Sequence, residues 1–254
     1  MTEAVPIPAA ARVLELDAGN TRTKWRWLGA AGEVVAAGAW ARSEAVLPAW
    51  ALPSQVSGIR VRAVSVAGVE HDDALTNALT EQGLPAPVFA RAQDRRGRLT
   101  SGYLSPERLG ADRWVAMLAG AARTQAPFLV VDAGSAITVD LVDQNGCHAG
   151  GWIVPGLAML RRALLAETAG IRFDDAQVES DGPGRSTADA VLAGTLRMAR
   201  DFVAARACGM RKRHPTLDVF VTGGDGALIA EAMGDSVEAV PELVLDGLRH
   251  AVDG

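Results

Sequence analysis

Leu14-Glu15-Leu16-Asp17-Ala18-Gly19-Asn20-Thr21-Arg22-Thr23-Lys24 is answered 115 positions later (17 to 132) by Val130-Val131-Asp132-Ala133-Gly134-Ser135. An apolar run that ends in Asp-x-Gly and a small polar residue reads as a buried strand turning tightly into a hairpin. Glycine at such a turn lets backbone N–H groups converge on an anion, and the aspartate can hold a cation that neutralises it. Two such turns, facing each other across a cleft, would suit the phosphates of a nucleotide.

The repetition runs past the motif. After Asp17 come alternating Thr21, Thr23, Trp25 and Trp27, a turn at Gly29 to Gly32, and apolar residues from Val34 to Trp40. After Asp132 come Ile137, Val139 and Leu141, an Asn145-Gly146 turn, and the stretch Gly150 to Val154. Asn-Gly between alternating apolar residues is a strong hairpin signal. Asp17 to Gly32 is 15 residues and Asp132 to Gly146 is 14, so the halves read as copies of one strand-hairpin unit, each followed by helices. The alternative is chance recurrence, because Asp and Gly are both common in turns.

The pattern predicts strands at 13–17, 22–28, 33–40, 61–67 and 86–90, with helices at 70–82 and 106–123. In the second half it predicts strands at 128–132, 136–142, 147–153 and 217–222, and helices at 156–168, 186–208, 226–233 and 241–252. That order implies mixed α/β sheets with an antiparallel hairpin edge in each half, in two domains, 1–125 and 126–254. Asp174 to Arg185 reads as a solvated acidic loop, and Met1 to Arg12 as a short lead-in.

Composition narrows the function. With 254 residues, 49% of them hydrophobic, the chain can build a substantial core. A net charge of -5 argues against a nucleic-acid or membrane-surface binder, and Arg91, Arg95, Arg96, Arg98 and Arg211 to Arg213 read as solvated faces. No apolar run reaches the ~18 residues of a membrane span, and the first residues lack the pattern of a signal peptide. Cys147 and Cys208 have no metal or disulfide spacing, which points to the reducing cytoplasm. The four histidines form no ligand pattern and read as surface or structural residues. A Gly-x4-Gly-Lys-Ser/Thr phosphate loop is absent from the sequence.

One further cluster precedes the midpoint. Ser105 and Pro106 signal a helix start, Gly110 is expected inside that helix, and Asp112-Arg113 follows it. A glycine there costs roughly 1 kcal/mol against alanine, which signals a close approach to the backbone. Asp112 and Arg113 read equally well as an exposed charged pair. Tyr103, the single tyrosine, stands just upstream.

Asp17-Ala18-Gly19-Asn20-Thr21-x-x-Lys24, Gly102-Tyr103-x-x-Pro106-x-x-Leu109-Gly110-x-Asp112-Arg113, Asp132-Ala133-Gly134-Ser135-Ala136, Pro155-Gly156-Leu157 and Thr222-Gly223-Gly224 together resemble the type III pantothenate kinases in order and spacing. The resemblance covers roughly residues 13 to 250. It departs from the family at Ser135, where threonine is usual, and in the longer lead-in. It implies an actin-like ATPase fold of two duplicated ribonuclease-H-like domains, as in acetate and sugar kinases.

It also implies residue roles. Asp17 to Lys24, with Ala18, Gly19, Asn20, Thr21, Arg22 and Thr23 between them, corresponds to a first phosphate loop for ATP, with Asp17 near Mg2+. Asp132 corresponds to a ligand for a monovalent cation, K+ or NH4+, and Ser135 to a hydroxyl that contacts ATP. Tyr103, Gly110, Ala111, Asp112 and Arg113 correspond to the pantothenate pocket, with Asp112 as the proton acceptor. Thr187 corresponds to a substrate-binding threonine that a homodimer brings near the partner's site. Two alternatives stay open: another kinase of the same superfamily, and an accessory activator of gene expression.

Overall fold

The computed structural model describes residues 5–6, 10–42, 50–51, 58–172 and 182–253. The chain divides into two compact units. The first is 1–97, 103–119 and 243–254; the second is 98–102 and 120–242. Against the expected division at 125/126, residues 98–102 and 120–125 group with the second unit, and the last helix groups with the first. Most of the expected acidic loop, 173–181, lies outside the described residues, as do most of the first nine.

The first unit holds a five-stranded sheet built from β1 (Val13–Ala18), β2 (Arg22–Leu28), β3 (Val34–Ala41), β4 (Arg60–Ser65) and β5 (Val88–Phe89). Their order is β3-β2-β1-β4-β5, with the β1–β2–β3 meander antiparallel and β4 and β5 parallel to β1. In the second unit β6 (Phe128–Ala133), β7 (Ala136–Val142), β8 (His148–Pro155), β9 (Asp218–Thr222) and β10 (Glu238–Ala239) repeat that order. Even the irregularity is repeated. A bulge falls between Trp27 and Leu28 in one hairpin and between Leu141 and Val142 in the other, 114 residues on (27 to 141).

Side-chain alternation explains how each sheet is covered. Leu14 and Leu16 face a core with Trp25, Trp27, Leu75 and Leu79, the last two from α1 (Val69–Glu81). Leu129, Val131 and Ala133 face the equivalent core, with Ile229 of α5 (Gly226–Met233) and Leu196, Ala199 and Val203 of the long α4 (Thr187–Arg211). Each fully buried aliphatic side chain contributes roughly 1.5–3 kcal/mol.

On the opposite face of β1 lies Glu15, fully buried between two arginines. It accepts from Arg26 Nε at 2.7 Å and from Arg62 Nη1 at 2.9 Å. Arg26 also reaches Asp246 at 2.7 Å, and Arg62 reaches Asp253, both from α6 (Leu243–Val252) or its end. Burial alone would lower the Arg26 pKa, but Glu15 and Asp246 push it above its ordinary range. This network fastens α6 to the first sheet. Gly247 of α6 completes the fit: a Cβ there would stand 2.0 Å from the Val115 carbonyl oxygen of α2 (Ala111–Arg123).

The expected helix 106–123 is two elements. Pro106–Arg108 forms a 3-10 turn, Leu109 is extended, and α2 starts only at Ala111. Gly110 therefore precedes the helix instead of interrupting it, and its carbonyl accepts the first helical bond, from Trp114 N at 3.0 Å.

Candidate functional site

The first Asp-x-Gly turn closes as the sequence implies. Gly19 N donates to the Arg22 carbonyl at 3.1 Å, and Arg42 N to the Thr21 carbonyl at 2.9 Å, leaving Asn20, Thr21 and Arg22 exposed at the tip. Just below the tip Asp17 pairs with Lys24 across the hairpin, both half-buried. This sets a cation opposite a carboxylate at the end of a buried strand. Ala18 and Thr23 lie in the core, so of the residues expected to hold ATP these two offer backbone alone.

The second turn is more enclosed. Gly134 N donates to the Ala136 carbonyl at 2.9 Å, and two other glycine turns pack on it. A Cβ on Gly156 would stand 2.1 Å from the Gly134 carbonyl oxygen and 2.7 Å from that of Ser135. A Cβ on Gly223, whose φ is +93, would stand 2.5 Å from Asp132 Oδ1. Only glycine allows that approach. Asp225 N anchors the same corner to the Ala133 carbonyl at 2.8 Å. Burial pushes the Asp225 carboxyl up, with Arg161 of α3 (Leu157–Glu167) opposing. Asp132, Ser135, Gly156 and Gly223 thus share one corner at the carboxyl end of β6 and β9, where ligands of open α/β sheets bind. A cavity of about 310 Å³ opens at the opposite end of β9, lined by Asp218, Asp235, Glu238 and Arg123, and shares none of these residues.

The third cluster is Tyr103 to Arg113. Arg113 is buried, donates from Nη1 to the Tyr103 hydroxyl at 2.7 Å, and holds its guanidinium 5.5 Å from the centre of that ring. The exposed-pair reading of Asp112-Arg113 therefore fails for Arg113. Asp112 sits in the first turn of α2, where the macrodipole favours a negative side chain, and its Oδ1 accepts from Arg113 N at 2.7 Å. A Cβ on Gly110 would stand 2.7 Å from that oxygen, which explains the glycine. Thr187 lies apart, exposed at the start of α4, whose N-cap Ser186 accepts from Asp189 N at 3.1 Å.

Sequence reasoning missed the partners of Glu15, and it left His148 without a role. His148 is buried against Asp140. Among the described residues no group of three or more His, Cys, Asp or Glu could hold a metal, and no helix is long and apolar enough to cross a membrane. The donor set suits Mg2+, which is bound through one or two carboxylates together with substrate phosphates and water.

Comparison with known proteins gives the family and the fold. A model of the type III pantothenate kinase family matches residues 13–207. A type III pantothenate kinase of Marinobacter nauticus is 39% identical over 94% of this chain and 97% of its own length, and one of Ectopseudomonas mendocina is 40% identical over 94% and 98%. Among solved structures, a conserved putative Baf family transcriptional activator from Campylobacter jejuni superposes with a TM-score of 0.59 at 22% identity, covering 94% of this chain and 96% of that one. A putative 2-dehydro-3-deoxygalactonokinase from Sinorhizobium meliloti gives 0.58 at 15%, covering 94% and 97%. These likenesses show the fold: two mixed five-stranded sheets flanked by helices, as in actin-like ATPases and sugar kinases.

Proposed function

The chain belongs to the type III pantothenate kinases, and from that premise we propose how its own residues divide the work. The reaction is ATP-dependent phosphorylation of pantothenate to 4'-phosphopantothenate, the first step of coenzyme A biosynthesis. The oxygen of the primary hydroxyl forms a bond to the γ-phosphorus, the bond from that phosphorus to the β,γ-bridging oxygen breaks, ADP leaves, and the hydroxyl proton passes to a carboxylate.

Asp112 is that carboxylate. The observation that carries the assignment is the Arg113–Tyr103 hydrogen bond, which gathers both ends of the acceptor block beside the first turn of α2. Arg113 and Tyr103 hold the acceptor, whose carboxylate is of the kind that a guanidinium binds. Asp112, oriented by Arg113 N, accepts the proton late in transfer, a contribution of about 10²- to 10⁴-fold. Gly110 and Ala111 line the approach to it.

Asp17, Gly19, Asn20, Thr21, Arg22 and Lys24 take the phosphates of ATP, and Asp17 would hold Mg2+. Asp132 would hold K+ or NH4+, and Ser135 would touch the nucleotide. Phosphoryl transfer depends on positioning and charge neutralisation, which bound cations supply beside Lys24. The exposure of Thr187 supports its service to a second subunit, so the working form is a homodimer. Its two free cysteines support a cytoplasmic location.

A coupled assay of Asp112→Asn tests the assignment. Turnover should collapse by at least about 10²-fold while ATP binding stays near that of the unaltered protein. A variant keeping more than about a tenth of normal turnover removes Asp112 as the base, by the same range.

A further inference from the structure

The polar face of the first sheet carries two charged rungs, one next to the other. Side chains two residues apart on a strand share a face, so Glu15 and Asp17 of β1 lie on one face, roughly 7 Å apart along the strand. Across the hairpin Glu15 pairs with Arg26 and Asp17 with Lys24; on β4 their neighbours are Arg62 and Val64. Asp17 is thus the diagonal neighbour of both arginines, a spacing of ~7–8 Å that a long side chain can bridge.

Both guanidinium groups are held by other carboxylates. Arg26 donates from Nε to Glu15 and from Nη1 to Asp246, each at 2.7 Å. Arg62 donates from Nη1 to Glu15 at 2.9 Å and from Nε to Asp253 at 3.1 Å. The side chains of Asp246 and Asp253 are 27% and 37% exposed, whereas that of Glu15 is 1% exposed, so Glu15 is the inner anchor. Its loss would leave buried donors short of an acceptor, a costly state, and the next carboxylate along that face of β1 is Asp17.

The second unit shows that the fold does not require this network. There Val130, Asp140 and Phe220 hold the places of Glu15, Arg26 and Arg62, and Asp140 is bound to His148. The diagonal neighbours of Asp132 are therefore Asp140 and Phe220, neither of them a cation. The buried carboxylate anchor belongs to the unit in which arginines stand within reach of the turn's aspartate.

We propose that Glu15 is a positioning residue for the metal-binding Asp17: with Asp246 and Asp253 it holds Arg26 and Arg62 on their own rung, and so keeps both guanidinium groups from closing on the Asp17 carboxylate in place of a divalent cation. The proposal rests on the reading of Asp17 as the carboxylate for Mg2+.

Calorimetric titration of the full chain with ADP, once in Mg2+ and once in EDTA, tests it without turnover. The readout is the ratio of the two dissociation constants, the gain that Mg2+ brings. Glu15→Gln keeps the size of the side chain but offers one acceptor oxygen in place of two and turns an amide N–H2 toward an arginine. Residues that support a metal ligand typically matter 10- to 100-fold, so the Mg2+ gain should shrink by about tenfold or more while metal-free ADP binds no more weakly. Glu15→Val with Arg26→Met and Arg62→Phe, which removes the guanidinium groups as well, should restore the gain. A folded Glu15→Gln with an unchanged gain overturns the proposal, as does a lost gain that a folded triple variant fails to restore. Asp246→Asn, at the exposed end of the Arg26 pair, should give a loss in the same direction; if Glu15→Gln does not fold, an unchanged gain in Asp246→Asn overturns the proposal. Asp17→Asn separates the two readings: if it keeps the full gain, Asp17 itself is misassigned and the proposal falls with it, whereas a lost gain there beside a normal Glu15→Gln refutes only the positioning role.

Discussion

Arg113 meets Tyr103 twice, through a 2.7 Å hydrogen bond from Nη1 to the phenol oxygen and through its guanidinium 5.5 Å from the ring centre. Tyr103→Phe removes the first contact and keeps the second. A hydrogen bond is worth about 0.5–1.5 kcal/mol, so the pantothenate KM should rise roughly two- to thirteenfold with kcat nearly unchanged, the pattern of lost uniform binding. A fall in kcat at constant KM would instead put the pair at the reacting end of the substrate.

Among the described residues, Glu15 is the carboxylate that the buried Arg26 and Arg62 of the first sheet share. Glu15→Val leaves both cations without it and should cost about 3–5 kcal/mol in urea unfolding. The second unit shows the repair, because Val130 and Phe220 hold the places of Glu15 and Arg62. Adding Arg62→Phe to Glu15→Val should restore part of the loss. A double variant less stable than the single one would show that the network is irreplaceable where it stands.

These two sites mark the limit of what the sequence discloses. The Asp-x-Gly turns and both hairpins were legible because glycine placement and period-two alternation are local. Strands such as Val88–Phe89 and Glu238–Ala239 offer two residues each, too few to show a period cleanly, and the second escaped notice. The partners of Glu15 lie 11, 47 and, through the arginines, more than 190 residues away, beyond any local pattern. Gly110 was misread because Ser105-Pro106 is a genuine start signal, but for a 3-10 turn. The seats of Gly102, Gly156 and Gly223 depend on backbone from other strands, so each letter G carries no hint of its neighbour.

Two histidines give the first unit an acid sensitivity. Burial, then Arg42, lowers His71 from the ordinary 6.5 against the opposing Asp72, and burial, then Arg249, lowers His250 against Asp246. A base held below its unfolded pKa binds fewer protons folded than unfolded between the two values. The stability is therefore full above about 6.5 and is lost as pH falls through the folded values. The urea midpoint should fall between about pH 7 and 5, and His71→Gln with His250→Gln should flatten that fall. An equal slope in the double variant assigns the sensitivity to other groups.

The second turn makes the last prediction. Asp132 ends a buried strand, and Gly223 approaches its Oδ1 so closely that a Cβ there would stand 2.5 Å away. On the proposed reading, a monovalent cation held by Asp132 would neutralise part of the nucleotide charge. Turnover in K+ or NH4+ should exceed that in Na+ by about tenfold or more, equivalent to ~1.4 kcal/mol of transition-state stabilisation. Asp132→Asn should abolish the difference. Gly223→Ala should weaken it as well, since the new methyl would press on Asp132 Oδ1 and the +93 φ disfavours alanine. Equal rates in the three salts would remove the cation from Asp132, and the close approach of Gly223 would then serve packing alone.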